Sequence, residues 1–204
     1  SVCGGHGGAS GDVGGLRPAR ASGGLGDDTF APVSDRCLRR PAGARHAGDG
    51  RLRDKVIDAL PYALTASQRA AAAAIAADLQ QPVRMLRLLQ GDVGSGKTVV
   101  ALLAAATVAE VGQQAALMAP TEILARQHIK TIAPLAARAG LNVAILTGRE
   151  KGRERRDILA RLAAGALDLL VGTHALLQDE GVFKSLALAI VGEQHRFGGR
   201  ERLA

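Results

Sequence analysis

One glycine-rich stretch, GDVGSGKT at residues 91–98, limits the folds open to this chain more than any other feature. It lies between an apolar run and a helix-forming segment, as the pattern G-x-x-x-x-G-K-[ST] requires. Glycines let the backbone curl so that several amide groups converge on one phosphate, whereas a Cβ would obstruct the turn. The N-terminus of the following helix adds positive partial charge. The stretch therefore predicts a nucleoside triphosphate site formed by Gly91, Asp92, Val93, Gly94, Ser95, Gly96, Lys97 and Thr98.

Two side chains of this stretch have specific chemistry. Lys97 can place a cation beside the β- and γ-phosphates, and the Thr98 hydroxyl can reach Mg²⁺. The alternative is a glycine-rich turn that fits the pattern by chance, with strand, loop and helix in register by accident.

Short apolar segments alternate with helical patterns through the rest of the chain. A helix over 64–80 has Thr65 as N-cap and Gln68 three residues later, as in a capping box. Further helices are predicted at 97–111, 122–139 and 150–164, and strands at 84–91, 114–120, 142–148, 167–173 and 186–192. This alternation predicts an α/β fold, in which helices cover both faces of a mostly parallel sheet. The basic run 149–161, including Glu150, is expected to be the solvated face of a helix.

Residues 1–50 have a different composition. They hold half of the 26 glycines and show no apolar period. Such a segment cannot bury enough apolar surface to offset its ordering entropy. We expect residues 1–50 to be a disordered or non-native low-complexity segment and residues 51–204 to form one domain.

The overall composition narrows the protein class. A formal net charge of +7 fits a polyanionic partner such as nucleic acid. The two cysteines, Cys3 and Cys37, indicate neither a zinc site nor a disulfide framework. The longest uncharged stretch, 98–109, is too short to span a bilayer, and the N-terminus lacks a secretion-signal pattern. We expect a soluble, cytoplasmic protein with no membrane segment.

Five segments together resemble the motifs of superfamily 2 DNA helicases, and their residues are similar to those of the RecG family of branched-DNA helicases. They are RLLQGDVGSGKTVVA (87–101), LMAPTEILARQH (117–128), LTG (146–148), VGTHALLQ (171–178) and VGEQHRFG (191–198). Transcription-repair coupling factors are related, but their corresponding segments are similar to GDVGFGKT and DEEHRFG. This chain has Ser95 in place of the phenylalanine and Gln194 in place of the second glutamate. The resemblance implies a RecA-like P-loop NTPase domain, ATP and Mg²⁺ as cofactors, and branched or forked DNA as a partner.

The resemblance also implies roles for individual residues. Glu193 would activate the attacking water and Lys97 would stabilise the γ-phosphate, while Gln194 and His195 would couple nucleotide state to DNA. Gln68 would contact the adenine edge, close a capping box with Thr65, or do both. The implied DNA contacts are Pro120, Thr121, Gln127, Gly148, Thr173 and His174. Taken singly, Thr121 could be a plain N-cap and His174 an ordinary loop histidine.

At position 192 this chain departs from the family. The family has an aspartate there that holds Mg²⁺ through water, opposite the Thr98 side, and Gly192 offers no ligand. Mg²⁺ keeps several waters and can still bind between Thr98 and the phosphates. Loss of one aimed electrostatic group typically lowers turnover by about 10²–10³-fold. We expect the natural parent to have aspartate here.

The chain ends at Ala204, directly after the last motif, so we expect a fragment of about one motor lobe. The second RecA-like lobe, its arginine finger and the wedge domain of the RecG family would be missing. The first hypothesis is the ATP-binding lobe of an ATP-dependent DNA helicase that remodels branched DNA at stalled forks in recombination and repair. The isolated chain would then be weakly active or inactive. The alternatives are a non-catalytic nucleotide-binding module and the corresponding lobe of a transcription-repair coupling factor. A P-loop kinase or transporter ATPase would leave segments 117–128 and 191–198 unexplained.

Overall fold

The structure is a computed structural model that describes His46 and residues 48–92, 94–173 and 183–192. In chain order its elements are α1 (Arg51–Ala59), α2 (Ala66–Leu79), α3 (Lys97–Ala109), β1 (Gln114–Ala119), α4 (Glu122–Ala139), β2 (Val143–Leu146), α5 (Gly152–Ala164), β3 (Leu169–Thr173) and β4 (Leu186–Val191). Apart from the strand predicted over 84–91, the predicted elements begin and end within about two residues of these bounds, which is the usual uncertainty of element ends.

The four strands form one parallel sheet in the order β2-β3-β1-β4. Leu169 and Val171 of β3 belong to the large core formed with α3 and α4. Leu170, which points to the opposite face, packs in a smaller cluster with Ile158 and Leu162 of α5. Helices therefore cover both faces of the sheet, and the predicted α/β fold is confirmed.

Local sequence signals explain where the helices begin. Thr65 accepts a hydrogen bond from the amide of Gln68, and the Gln68 side chain accepts one from the amide of Thr65. This capping box satisfies two amides that lack intrahelical acceptors. Thr121 caps α4 in the same way, through the amide of Leu124. Each cap thus fixes the start of a helix that carries a predicted site residue, Gln68 on α2 and Gln127 on α4.

The strand predicted over 84–91 is wrong. Only Val83 and Leu89 are bridge residues, and the segment between them belongs to no described strand. Its conformation still exposes alternate side chains: Leu86 is 66% exposed, whereas Met85 and Leu89 pack against the core. The apolar pattern thus predicted which side chains face inward. A strand also requires a continuous hydrogen-bonded neighbour, and the described sheet does not include this segment.

Helix α1 was missed by the sequence analysis because its segment is rich in charge. Val56 and Ala59 are buried and Leu52 packs against the same core, a spacing of four and three residues that is typical of one helix face. Glu110, the C-cap residue of α3, accepts hydrogen bonds from the amides of Gly50 and Leu52. Negative charge near a helix N-terminus is stabilising, so Glu110 fixes α1 against α3.

Contacts with the domain extend slightly before residue 51. The His46 amide donates to the Leu79 carbonyl at 2.8 Å, and His46 is buried. The predicted boundary at 51 stays a prediction, and residues 1–45 and 47 lie outside the described residues. None of the helices in the described ranges is both long and apolar enough to cross a membrane.

Candidate functional site

The carboxyl ends of the four described strands bring Pro120, Thr121, Gly148 and Thr173, four of the predicted DNA-side positions, to one edge of the sheet. Ala119 at the end of β1 lies beside Thr173 of β3, and Met118 lies beside Val191 of β4. Pro120 and Thr121 directly follow β1, the Thr147–Gly148 turn follows β2, and Gly192 follows β4. Ligands of open α/β sheets bind at this edge.

The glycine-rich loop has the backbone geometry that its sequence predicts. Gly94 and Gly96 have φ angles of 89° and 81°, a region that costs an L-residue roughly 1–2 kcal/mol. Helix α3 begins directly after Gly96, because the amides of Val99 and Val100 donate to the Gly96 carbonyl. The amides before them have no intrahelical acceptor, so the loop ends in a group of donors suited to an anion.

Lys97 lies against the beginning of the same loop. Its Nζ donates to the carbonyl oxygens of Gly91 at 2.6 Å and Asp92 at 2.7 Å. The amide of Ser95 also donates to the Asp92 carbonyl, at 3.2 Å. The ammonium has three donors, so it can hold both carbonyls and still offer a hydrogen to a third acceptor.

Gln68 connects helix α2 to the loop. It is 6% exposed, and its Nε2 donates to the Ser95 carbonyl at 2.8 Å while its Oε1 accepts from the Thr65 amide at 3.0 Å. A Cβ on Gly96 would lie 2.4 Å from Nε2. A primary amide has two hydrogens and two lone pairs on its oxygen, so each polar atom retains one for an adenine edge. The capping-box alternative is confirmed, and the adenine contact stays a prediction.

Thr98 forms a contact with His128, a residue that was not predicted to belong to the nucleotide site. Its Oγ1 lies 3.2 Å from Nδ1 of His128, which is on α4 and 30 residues away in sequence. The other ring nitrogen, Nε2, lies 3.7 Å from where a Cβ on Gly192 would be. One imidazole therefore separates the Thr98 hydroxyl from the end of β4.

The donor set around Thr98 fits Mg²⁺ only when the ion arrives with a nucleotide. No group of three His, Cys, Asp or Glu side chains that could hold a metal occurs among the described residues. Mg²⁺ usually keeps several waters and binds through substrate phosphates with one or two protein oxygens. The Thr98 hydroxyl can be such an oxygen, whereas Gly192 contributes no ligand.

Glu150 does not belong to a solvated helix face, so that prediction is wrong for this residue. Glu150 is 6% exposed; its Oε2 accepts from the amide and hydroxyl of Thr147, each at 2.6 Å, and its Oε1 accepts from Arg126 at 2.6 Å. Burial alone would raise the pKa of Glu150, but the hydrogen bonds from Thr147 and Arg126 outweigh it, and the pKa lies below its usual value. The carboxylate fixes the turn after β2 to α4.

The remainder of the basic run fits the prediction better. Arg153 and Asp157 of α5 are 3.9 Å apart in an i,i+4 pair, and both side chains are mostly exposed. Exposed pairs of this kind contribute about 0.3–0.5 kcal/mol. This part of α5 is a solvated face.

Glu122 lies against the Thr147–Gly148 turn after β2, one of the turns predicted to contact DNA. Its Oε1 accepts from the Gly148 amide at 2.7 Å, and its Oε2 lies 3.5 Å from Nε of Arg149. Glu122 is also in the first turn of α4, directly after the N-cap Thr121. An amide, a guanidinium and a helix N-terminus thus surround one carboxylate, an arrangement of donors that also suits a phosphate.

Several predicted site residues lie outside the described residues. They are Val93, His174, Glu193, Gln194 and His195. Gln127 is described and is exposed on α4. The residues that the sequence analysis missed are His128, Glu150, Arg126 and Glu122. The sequence carried no signal for them, because the contacts Arg126–Glu150, Glu122–Gly148 and Thr98–His128 join residues that are 24, 26 and 30 positions apart.

Residues 65–204 match the DEAD/DEAH box helicase family. The ATP-dependent DNA helicase RecG of Bacillus subtilis is 52% identical over 148 residues, which are 72% of this chain and 22% of that protein. The protein of the same name from Staphylococcus epidermidis is 51% identical over 146 residues, which are 72% of this chain and 21% of that protein. The chain therefore spans about a fifth of the length of these curated relatives.

A solved structure of RecG bound to a three-way DNA junction is similar to this chain. It superposes with a TM-score of 0.71 and 43% sequence identity, over 76% of this chain and 21% of that chain. At this identity the likeness extends to sequence as well as to fold.

Proposed function

Since the chain belongs to the DEAD/DEAH box helicase family, we propose that it is the ATP-binding RecA-like lobe of a RecG-like DNA helicase. The intact protein would couple ATP hydrolysis to the remodelling of branched DNA. The proposal rests mainly on the position of the glycine-rich loop at the start of α3. The imidazole of His128 lies between Thr98 of this loop and Gly192 at the end of β4. The RecG relatives at about half identity favour this lobe over that of a transcription-repair coupling factor.

On the nucleotide side, the amides at the start of α3 bind the phosphates and Lys97 adds its cation. Nζ already holds two loop carbonyls, and its third hydrogen is available to a phosphate oxygen. Thr98 would hold Mg²⁺, which neutralises charge developing on the phosphoryl group when bound. Gln68 ties the adenine side to the loop through Ser95. Glu193 is the proposed base that activates water.

On the DNA side, the turns after β1, β2 and β3 would track one phosphate backbone. Thr121 opens α4, whose N-terminus favours an anion, and Gly148 offers an amide. Glu122 accepts from that amide, so a DNA phosphate has to displace the carboxylate. Phosphate contacts of this kind position the protein on DNA and add affinity, but they do not recognise base sequence.

A second candidate, a non-catalytic nucleotide-binding module, is favoured by Gly192. Binding of ATP needs the loop and Thr98, whereas fast turnover needs the acidic group that glycine lacks. An ATPase assay separates the candidates: a helicase lobe joined to its second lobe hydrolyses ATP faster with forked DNA, and a passive module does not respond.

The DNA side is tested by the affinity of the 204-residue chain for forked and linear duplex DNA in low salt. We expect measurable binding that weakens steeply with salt. Glu122→Gln removes the competing charge and is expected to tighten binding about two- to tenfold. The control, Glu154→Gln, removes the same charge from an exposed position on α5. Equal gains in both variants would mean that only overall charge matters, and the role of the Gly148 turn would be lost.

A further inference from the structure

His128 joins two parts of the proposed machinery. It lies on α4, the helix whose N-terminus belongs to the DNA-side edge, and its Nδ1 is 3.2 Å from the hydroxyl of Thr98 on α3. The contact is partly buried, so it is less exposed to competition from water than a surface hydrogen bond.

The direction of this hydrogen bond decides what the Thr98 oxygen can do. A threonine hydroxyl has one hydrogen and two lone pairs, and a neutral imidazole has one donor and one acceptor nitrogen. If the hydroxyl donates to Nδ1, both oxygen lone pairs stay free. If the ring donates to the hydroxyl, one lone pair of the Thr98 oxygen is used and the hydroxyl hydrogen points toward another acceptor.

We propose that His128 is a positioning residue whose Nδ1 accepts the Thr98 hydroxyl hydrogen and so directs the oxygen lone pairs toward nucleotide-bound Mg²⁺. This inference rests on the proposed function, because it requires ATP at the glycine-rich loop. It assigns the ring hydrogen to Nε2, the nitrogen that faces the end of β4 at Gly192. His128 therefore acts on the metal through Thr98 and does not touch the reacting phosphate.

This tautomer would also suit a carboxylate at position 192. An aspartate there, as in the family pattern, would extend from a Cβ that lies 3.7 Å from Nε2. A carboxylate can only accept a hydrogen bond when ionised, so a ring that donates from Nε2 and accepts at Nδ1 satisfies both neighbours. With an aspartate at position 192, the imidazole would contact both the threonine hydroxyl and the carboxylate.

The test measures how much Mg²⁺ strengthens ATP binding. The 204-residue chain is titrated with ATP by calorimetry, once with Mg²⁺ and once with EDTA, and the ratio of the two Kd values is the magnesium gain. His128→Ala removes the acceptor, and His128→Asn keeps an amide oxygen near the position of Nδ1. We expect the gain to fall about two- to tenfold in His128→Ala, as the loss of one hydrogen bond predicts, and to be largely restored in His128→Asn.

The metal-free affinity separates this role from a structural one. It should be the same in the wild-type chain and both variants, because phosphate binding by the loop does not need the imidazole. An unchanged magnesium gain in His128→Ala, or an equal loss with and without Mg²⁺, would overturn the inference while leaving the proposed function intact. Absence of ATP binding by the wild-type chain would instead remove the proposed function and the inference with it.

A folding defect in His128→Ala, visible by circular dichroism, would leave a second comparison. His128→Gln places its amide one methylene farther from the backbone, near the position of Nε2. The inference expects a larger magnesium gain for His128→Asn than for His128→Gln, and equal gains would contradict it.

Discussion

Replacing Glu150 by glutamine removes a buried negative charge while keeping the size and shape of the side chain. The carboxylate accepts three hydrogen bonds of 2.6 Å, two from Thr147 and one from Arg126. A glutamine amide has one acceptor oxygen, and its NH₂ group would face a donor on one side. The Glu150→Gln variant therefore loses charge assistance and places two donors against each other.

The expected loss of unfolding free energy follows from these contacts. Hydrogen bonds to charged groups contribute about 1.5–3 kcal/mol each, and removing one partner of a fully buried ion pair costs about 3–5 kcal/mol. Arg126 is 36% exposed, so water can replace part of its lost contact. We therefore expect Glu150→Gln to lower the free energy of unfolding by about 2–3 kcal/mol.

The assay is urea unfolding of the 204-residue chain at neutral pH, followed by circular dichroism. Glu154→Gln is the matched control, because it makes the same change at an exposed position of α5; its effect should stay within about 0.5 kcal/mol. A loss in Glu150→Gln no larger than in this control would refute the reasoning.

The Glu150→Gln variant also gives a prediction for the pH dependence of stability. The pKa of Glu150 is lowered in the folded chain despite its burial, so its contribution to stability is present at neutral pH. It is lost as the pH falls below about 4.3, the usual glutamate value, and through the lowered pKa. The wild-type chain and Glu150→Gln should converge in stability over this acid range, and a constant difference would contradict the assignment.

Two glycine substitutions give further predictions. Gly96→Ala should destabilise the chain about 0.5–1.5 kcal/mol more than Gly112→Ala, measured by urea unfolding. Both glycines have positive φ, but only a Cβ on Gly96 would displace Gln68, since nothing lies within 4 Å of one on Gly112; equal losses would discount the Gln68 contact. Gly192→Asp should leave the fold intact, because its φ is not positive; its Cβ would lie 3.2 Å from the Met118 carbonyl, a tight contact that a shift of a few tenths of an ångström relieves. Joined to a second lobe, that variant should hydrolyse ATP about 10²–10³-fold faster than the unsubstituted chain. Equal rates would contradict the claim that the missing carboxylate at position 192 lowers ATP turnover.

Features with a local signal were predictable from the sequence. The capping residues Thr65 and Thr121 indicated where α2 and α4 begin, and the glycines of 91–98 predicted a curled loop, in which Gly94 and Gly96 have positive φ angles. The resemblance to the RecG family, carried by five short segments, is confirmed by the relatives and by the solved structure.

Features that depend on distant partners were not predictable. The segment 84–91 has the apolar pattern of a strand, but its pairing depends on neighbours that its own sequence does not specify. Glu150 looked like one charge in a solvated run because its partner, Arg126, is on helix α4, 24 residues away in sequence. The contact between Thr98 and His128 likewise joins two helices, and no spacing rule connects residues so placed.

The most direct test of the account is calorimetric titration of the 204-residue chain with ATP and with AMP in the presence of Mg²⁺. We predict that ATP binds at least about tenfold more tightly than AMP, and that Lys97→Ala weakens ATP binding by about ten- to a hundredfold, the effect of one charge-assisted hydrogen bond. Equal affinities for ATP and AMP, or an unchanged affinity in Lys97→Ala, would contradict the claim that residues 91–98 bind a triphosphate.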